Sequence, residues 1–115
     1  MYHEKIEAFI KEDQVEPVTY ELRSITGLTG MTVTRGEGFG RPHKSSELTP
    51  TPEMIHDFRK VARVEVFCND ALTDAVVSAI EHAAHTGLRQ DGKIYVIAVE
   101  EAVRISTGAR GEQSV

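Results

Sequence analysis

Three glycines stand within five residues in Gly36-Glu37-Gly38-Phe39-Gly40, and Arg41 follows directly. Glycine at this density lets a backbone take positive φ and leaves amide N–H groups open to an approaching anion. A dinucleotide fingerprint also uses clustered glycines, but it must open a helix, and this cluster opens a polar loop. Nucleophilic chemistry is not encoded: no nucleophile stands with an obvious base, and the carboxylates are scattered rather than paired by motif. His82 and His85 lie three apart without a fixed acidic or cysteine partner, so they read as solvated surface residues rather than metal ligands. His43 and His56 flank the loop, a weak basis for pH or metal sensitivity. Cys68 has no second cysteine to resolve it and reads as a small buried hydrophobe. Ser45, Ser46, Thr49 and Thr51 are of a kind that loops carry anyway, so they imply no modification.

The elements that must position the glycine cluster follow from periodicity. Gly30-Met31-Thr32-Val33-Thr34 alternates, with Met31 and Val33 on one face and Thr32 and Thr34 on the other. The stretch from Pro42 to Glu53 carries three prolines and no sustained period, which predicts a long, mobile, functional loop. Ile6, Ala8 and Ile10 define a first strand, and Glu7 and Phe9 face the other way. From Asp13 to Ile25 the spacing of Val15, Val18, Leu22 and Ile25 predicts a helix that stops at Gly27, with Pro17 in its first turn. Arg63-Val64-Glu65-Val66-Phe67-Cys68 predicts a third strand. Asn69 or Asp70 then caps a second helix with the stripe Leu72, Val76, Ile80 and Ala83, ending at Gly87. Lys93 to Val99 is a nearly continuous apolar run and predicts the best-buried strand. Val103 to Thr107 alternates once more before a frayed end.

The whole chain has 115 residues, 40% of them hydrophobic, which predicts a single domain over 1–115 with a modest core. A formal charge of −5 and the absence of tryptophan argue against nucleic acid as a partner. No apolar run approaches the roughly 20 residues of a membrane span, and Met1 to Lys5 lacks the apolar core of a signal peptide. One cysteine rules out an internal disulfide and fits a reducing cytoplasm, the expected location.

Lys5-Ile6-Glu7-Ala8-Phe9-Ile10 and Arg63-Val64-Glu65-Val66-Phe67-Cys68 repeat the order basic, apolar, Glu, apolar, Phe, apolar. Each precedes a helix, a glycine turn and a further strand. Two such halves predict an α+β class domain, a ferredoxin-like βαββαβ sandwich with an antiparallel four-stranded sheet and both helices on one face. Phe9, Phe67, Tyr95 and Ile97 would then crowd the bare face, an apolar patch that predicts a homo-oligomer.

At this point the residues resemble a known family. Gly30-Met31-Thr32-Val33-Thr34 with Gly38-Phe39-Gly40-Arg41 is similar to the first signature of the PII signal-transduction proteins. Thr86-Gly87, Asp91-Gly92-Lys93-Ile94-Tyr95-Val96 and Arg104-Ile105-Ser106-Thr107-Gly108 are similar to the second. The resemblance implies a homotrimer that binds ATP or ADP in clefts between subunits, without a catalytic cofactor. It also implies that the long loop, the T-loop, carries the nucleotide state to a transporter or enzyme. Arg41, Lys93 and Arg104 supply the positive charge that a polyphosphate needs, and Gly38, Gly40 and Gly92 offer backbone amides. By the family pattern Thr32 and the Val64 strand lie against adenine and Glu65 lies on the ribose side. Phe39, Gly87, Gln90 and Ser106 complete the expected nucleotide set. The expected partner-binding set is Ser45, Ser46, Glu47, Leu48, Thr49, Thr51 and Glu53.

The departures from the pattern carry expectations of their own. Members that sense 2-oxoglutarate have a glutamine where this chain has Pro42 and a lysine where it has Val61, so the resemblance implies that this site is missing. Lys60 does not replace it, because strand alternation sends it to the opposite side. The tyrosine that enterobacterial members uridylylate is Met54 here, which excludes that chemistry. A phosphate-contacting arginine becomes Ser106 and a signature glycine becomes Gln90. Weaker ATP binding and a relative shift toward ADP or AMP are expected, with bicarbonate or another small anion as a second effector. The rival expectations are a conventional nitrogen regulator responding to ATP and 2-oxoglutarate, a purely structural trimer, and slow ATP hydrolysis in the cleft.

Overall fold

The computed structural model describes residues 2–39 and 58–115. Gly40, Arg41, Pro42, Met54 and the expected partner-binding set lie outside them. The chain forms β1 (His3–Lys11), a single 3-10 turn, α1 (Val15–Arg23), β2 (Thr32–Gly38), β3 (Arg59–Asn69), a second 3-10 turn, α2 (Thr73–Ala84) and β4 (Gly92–Val99). The strands form one sheet in the order β2-β3-β1-β4, and all three pairings are antiparallel. This is the ferredoxin-like arrangement that the two-fold repeat predicts.

Alternation decides which face each residue takes. Ile6, Ala8 and Ile10 of β1 and Ala62, Val64, Val66 and Cys68 of β3 are all buried on one face. Val15, Val18 and Leu22 of α1 and Val76, Ile80 and Ala84 of α2 close over them in one core. Burying each of the larger side chains contributes roughly 1.5–3 kcal/mol, and losing any of them leaves a cavity as well. The helix starts obey local rules. The Asn69 carboxamide oxygen accepts from Ala71 N at 3.1 Å and caps the turn that leads into α2. Pro17 occupies the first turn of α1, where it breaks no intrahelical bond.

Three expectations need correction. Gly36 and Gly38 are not a turn: both lie inside β2, opposite Val61 and Arg59, and neither takes positive φ. An antiparallel ladder accepts glycine in extended form, and glycine density alone cannot distinguish that from a turn. Second, β4 is an edge strand rather than the best-buried one. Tyr95, Val96 and Ile97 are each nearly half exposed, Tyr95 and Ile97 because they lie on the face away from the helices and Val96 because β1 alone pairs with β4. An apolar run predicts burial without saying whether the chain's own helices or another surface provide it. Third, Val103 to Thr107 forms no strand. An isolated bridge joins Val103 to Arg110 around a turn, with Gly108 at φ 72°.

Candidate functional site

The face of the sheet away from the helices presents Phe9, Phe67, Tyr95 and Ile97, between 37% and 46% exposed, as expected. Phe9 and Tyr95 meet edge to face at 6.2 Å. Between these apolar groups runs a line of charges that the repeat creates. Because β1 and β3 pair antiparallel, Glu7 lies directly opposite Glu65, Lys5 opposite Phe67, and Phe9 opposite Arg63. Lys5 Nζ lies 2.7 Å from Glu7 Oε2 and 2.9 Å from Glu65 Oε2. Arg63 Nη2 lies 3.3 Å from Glu65 Oε1. The hydrogen bond from Lys5, then the nearby Arg63 charge, holds the Glu65 carboxyl below its ordinary range despite partial desolvation. Hydrogen bonds to Glu7 and Glu65 in turn raise the Lys5 ammonium.

At the β2 side of this face an open pocket of about 390 Å³ is lined by Thr32, Glu65, Phe67 and Arg104, with Thr29 to Met31, Ala102, Ser114 and Val115 completing its wall. Three of the residues expected to bind nucleotide therefore converge here. Arg104 reaches the pocket from a turn fixed by its own backbone, with Arg104 N bonded to Ala109 O at 2.8 Å and Gly108 N to Arg104 O at 2.7 Å. Ser106 sits exposed in that turn and does not line the pocket.

The remaining described residues of the expected set lie elsewhere. Gly87, Gln90, Gly92 and Lys93 belong to the loop before β4 and the start of that strand. Lys93 pairs with Phe9, Phe9 with Arg63, and Arg63 with Thr34, so Lys93 and β2 occupy opposite edges of the sheet. Three interstrand steps separate them by roughly 14 Å. The expected nucleotide residues therefore fall into two groups, one at each sheet edge. Val64 points the wrong way for side-chain recognition: it is fully buried under the helices, which leaves only its backbone for a ligand. Gly38 is near the far end of β2, opposite Arg59, and Phe39 beyond it packs edge to face on Phe58 at 5.5 Å.

The loop before β4 is built around Asp91. Its carboxylate accepts from Thr86 N at 2.9 Å, Gly87 N at 3.1 Å and the Thr86 hydroxyl, and Lys11 Nζ lies 3.2 Å away. The Thr86 bonds, with the Lys11 and Gly87 contacts behind them, hold the Asp91 carboxyl far below the usual carboxylate range. Gln90 stands at φ 65°, the left-handed conformation of the glycine that the pattern expects there. Gly92 is irreplaceable on steric grounds: a Cβ would lie 1.7 Å from the Phe9 carbonyl oxygen, at φ +111°. Periodicity assigns no role to Asp91, Lys11, Lys5 or Arg63, although the repeat itself places Glu7 against Glu65 once its antiparallel pairing is assumed.

Among the described residues no group of three or more His, Cys, Asp and Glu side chains could hold a metal ion, and no helix is long and apolar enough to cross a membrane. Four antiparallel strands with two helices on one face, and an open pocket on the other, define a ferredoxin-like domain. The family model described as Nitrogen regulatory protein P-II matches residues 3–109, and the chain belongs to that family. It is 44% identical over 111 residues to the nitrogen regulatory protein P-II of Rhodospirillum rubrum, covering 96% of this chain and 98% of that one. The protein of the same name from Azospirillum brasilense is 42% identical with the same coverage. A crystal structure of Arabidopsis thaliana PII bound to citrate superimposes with a TM-score of 0.81 at 28% identity, covering 99% of this chain and 92% of that one. The chain is accordingly a regulatory signalling protein rather than an enzyme.

Proposed function

We propose that the chain is a PII-type sensor that binds adenine nucleotide and transmits its state through the T-loop to a transporter or an enzyme. The observation that carries this reading is the convergence of Thr32, Glu65 and Arg104 on one open pocket, which offers a hydroxyl, an ionised acceptor and a guanidinium to one ligand. The second half-site, Gly87 to Lys93, is complementary in chemistry and sits at the other sheet edge. Two copies that bring opposite edges together would complete one cleft, and covering Phe9, Phe67, Tyr95 and Ile97 supplies the driving force. This supports a homotrimer with nucleotide between subunits. Arg41 belongs to the same proposed set.

Ser106 in place of a phosphate-contacting arginine supports ADP or AMP binding as well as or better than ATP. Val61, on the open face opposite Gly36, has no charge to pair with a keto acid, which supports indifference to 2-oxoglutarate. The citrate bound to the plant relative supports a small carboxylate or bicarbonate as a second effector in this fold. The names of the bacterial relatives favour a second reading, nitrogen regulation with ATP and 2-oxoglutarate. Arg104→Ala tests the site. Losing a charge-assisted contact of about 1.5–3 kcal/mol weakens ADP binding by roughly 10- to 150-fold while the oligomer persists. Unchanged affinity removes Arg104 from the site. Deleting Ser45 to Glu53 should keep the fold and abolish partner capture.

A further inference from the structure

The pocket's acidic wall is held by residues outside it. Glu7 and Glu65 are a directly opposed cross-strand pair, and two like charges in that register repel. Lys5 stands between them, within 3 Å of a carboxylate oxygen of each, and its ammonium lies 6.0 Å from the centre of the Phe67 ring that forms part of the pocket lining. Arg63 holds the other Glu65 oxygen. Each carboxylate oxygen has two lone pairs, so with one engaged on each oxygen Glu65 keeps acceptor capacity for a ligand. Lys5 and both its carboxylate partners are no more than 23% exposed, which limits how freely water can replace these contacts.

We propose that Lys5 is a positioning residue for the pocket, clamping Glu65 between Glu7 and Arg63 as a fixed acceptor that selects ligands presenting hydroxyl groups beside a phosphate bound by Arg104. The inference rests on the nucleotide reading above and adds to it a discriminating device. A ligand that reaches Arg104 with its phosphate and Glu65 with a sugar hydroxyl uses both groups. One lacking the hydroxyls leaves Glu65 without that contact. Remove Lys5, and Glu65 keeps Arg63 on one oxygen but faces the Glu7 charge with the other, so it swings away from Glu7 and the acceptor is no longer where the hydroxyl arrives. The repeat explains why two cations serve one carboxylate: Lys5 and Arg63 are equivalent positions of the two halves, brought together by antiparallel pairing.

The test is calorimetric titration of the full-length protein with ADP and with 2′,3′-dideoxy-ADP. The unsubstituted protein should prefer ADP by about tenfold or more, the worth of one hydrogen bond to a charged group. Lys5→Met should lose that preference, its ADP affinity falling to that for the dideoxy nucleotide, which itself binds as before. Lys5→Arg should restore the preference. Should Lys5→Met fail to fold, Lys5→Gln keeps a polar side chain but drops the charge that holds the two carboxylates together, and should show the same lost preference. Full preference in the variant that folds overturns the proposal, and so does an equal loss for both nucleotides, which marks a merely structural lysine. Equal binding of both by the unsubstituted protein overturns the role of Glu65 and leaves nucleotide binding standing. No binding of either overturns the nucleotide reading and this proposal with it.

Discussion

Replacing Gly92 with alanine is the perturbation that the geometry defines most sharply. The added Cβ would sit 1.7 Å from the Phe9 carbonyl oxygen and 2.8 Å from its carbon, and both belong to backbone that cannot rotate aside. The φ of +111° disfavours any L side chain, at a cost of roughly 1–3 kcal/mol. Relieving the overlap requires β4 to move off β1 where Ile10 faces Gly92 and Phe9 faces Lys93, which adds about 1–3 kcal/mol of overpacking. The sum, roughly 2–6 kcal/mol, is a large share of the 5–15 kcal/mol that holds a typical domain together. Urea unfolding of the purified protein at fixed chain concentration reads it directly. With a slope of about 2 kcal/mol per molar, the midpoint should fall by at least ~1 M. Gly36→Ala is the control, because no atom lies within 4 Å of its Cβ and its backbone is extended, so its midpoint should barely move. Equal, small shifts for both variants would refute the reasoning.

Four further outcomes follow from particular contacts. Gln90→Gly relieves a left-handed glutamine, and the gain of ~1–2 kcal/mol less the added unfolded-state entropy should leave the protein unchanged or up to about 1 kcal/mol more stable by urea midpoint; a loss above about 1 kcal/mol contradicts it. The folded-state pKa of Asp91 is depressed, so its contribution is present above the ordinary carboxylate value near 4 and fades as pH falls toward the folded value. Asp91→Asn should therefore lower stability at pH 7 and flatten its decline below about pH 4, and an unchanged pH slope would argue against the Thr86 and Lys11 contacts. A double-mutant cycle on Phe39 and Phe58, each to alanine, should give a coupling of about 0.5–1.5 kcal/mol from their edge-to-face contact, and no coupling would mean that the rings do not meet in solution. Burial raises the Cys68 thiol above its usual pKa, so a disulfide reagent should leave the native protein unlabelled at pH 8 and label one thiol after unfolding; rapid native labelling would place Cys68 at the surface.

The fold was legible because local pattern and global topology agree. Ile6, Ala8 and Ile10, the Val15-Val18-Leu22 spacing and the Asn69 cap each name their element, and the repeated Lys5 and Arg63 segments name the two-fold plan. What the pattern could not separate was one kind of burial from another. Val64 and Glu65 are neighbours in sequence and sit on opposite faces, so a motif that covers both cannot say which side chain meets a ligand. Val96 looks like core because it is apolar and shares the register of buried Ile6, while strand order leaves it at an edge. The Gly36 and Gly38 pair shows the limit of reading glycine as a turn, since extended and left-handed backbone are both open to it. The split of Lys93 from Thr32 is invisible in one dimension, because strand order alone sets them at opposite edges.

The most direct test of nucleotide sensing is calorimetric titration of the purified protein with ATP, ADP and AMP, each with and without 2-oxoglutarate or bicarbonate. The account predicts that ADP or AMP binds as tightly as ATP or more tightly, with no strengthening by 2-oxoglutarate. Failure of all three nucleotides to bind, or ATP binding strengthened by 2-oxoglutarate, would contradict it.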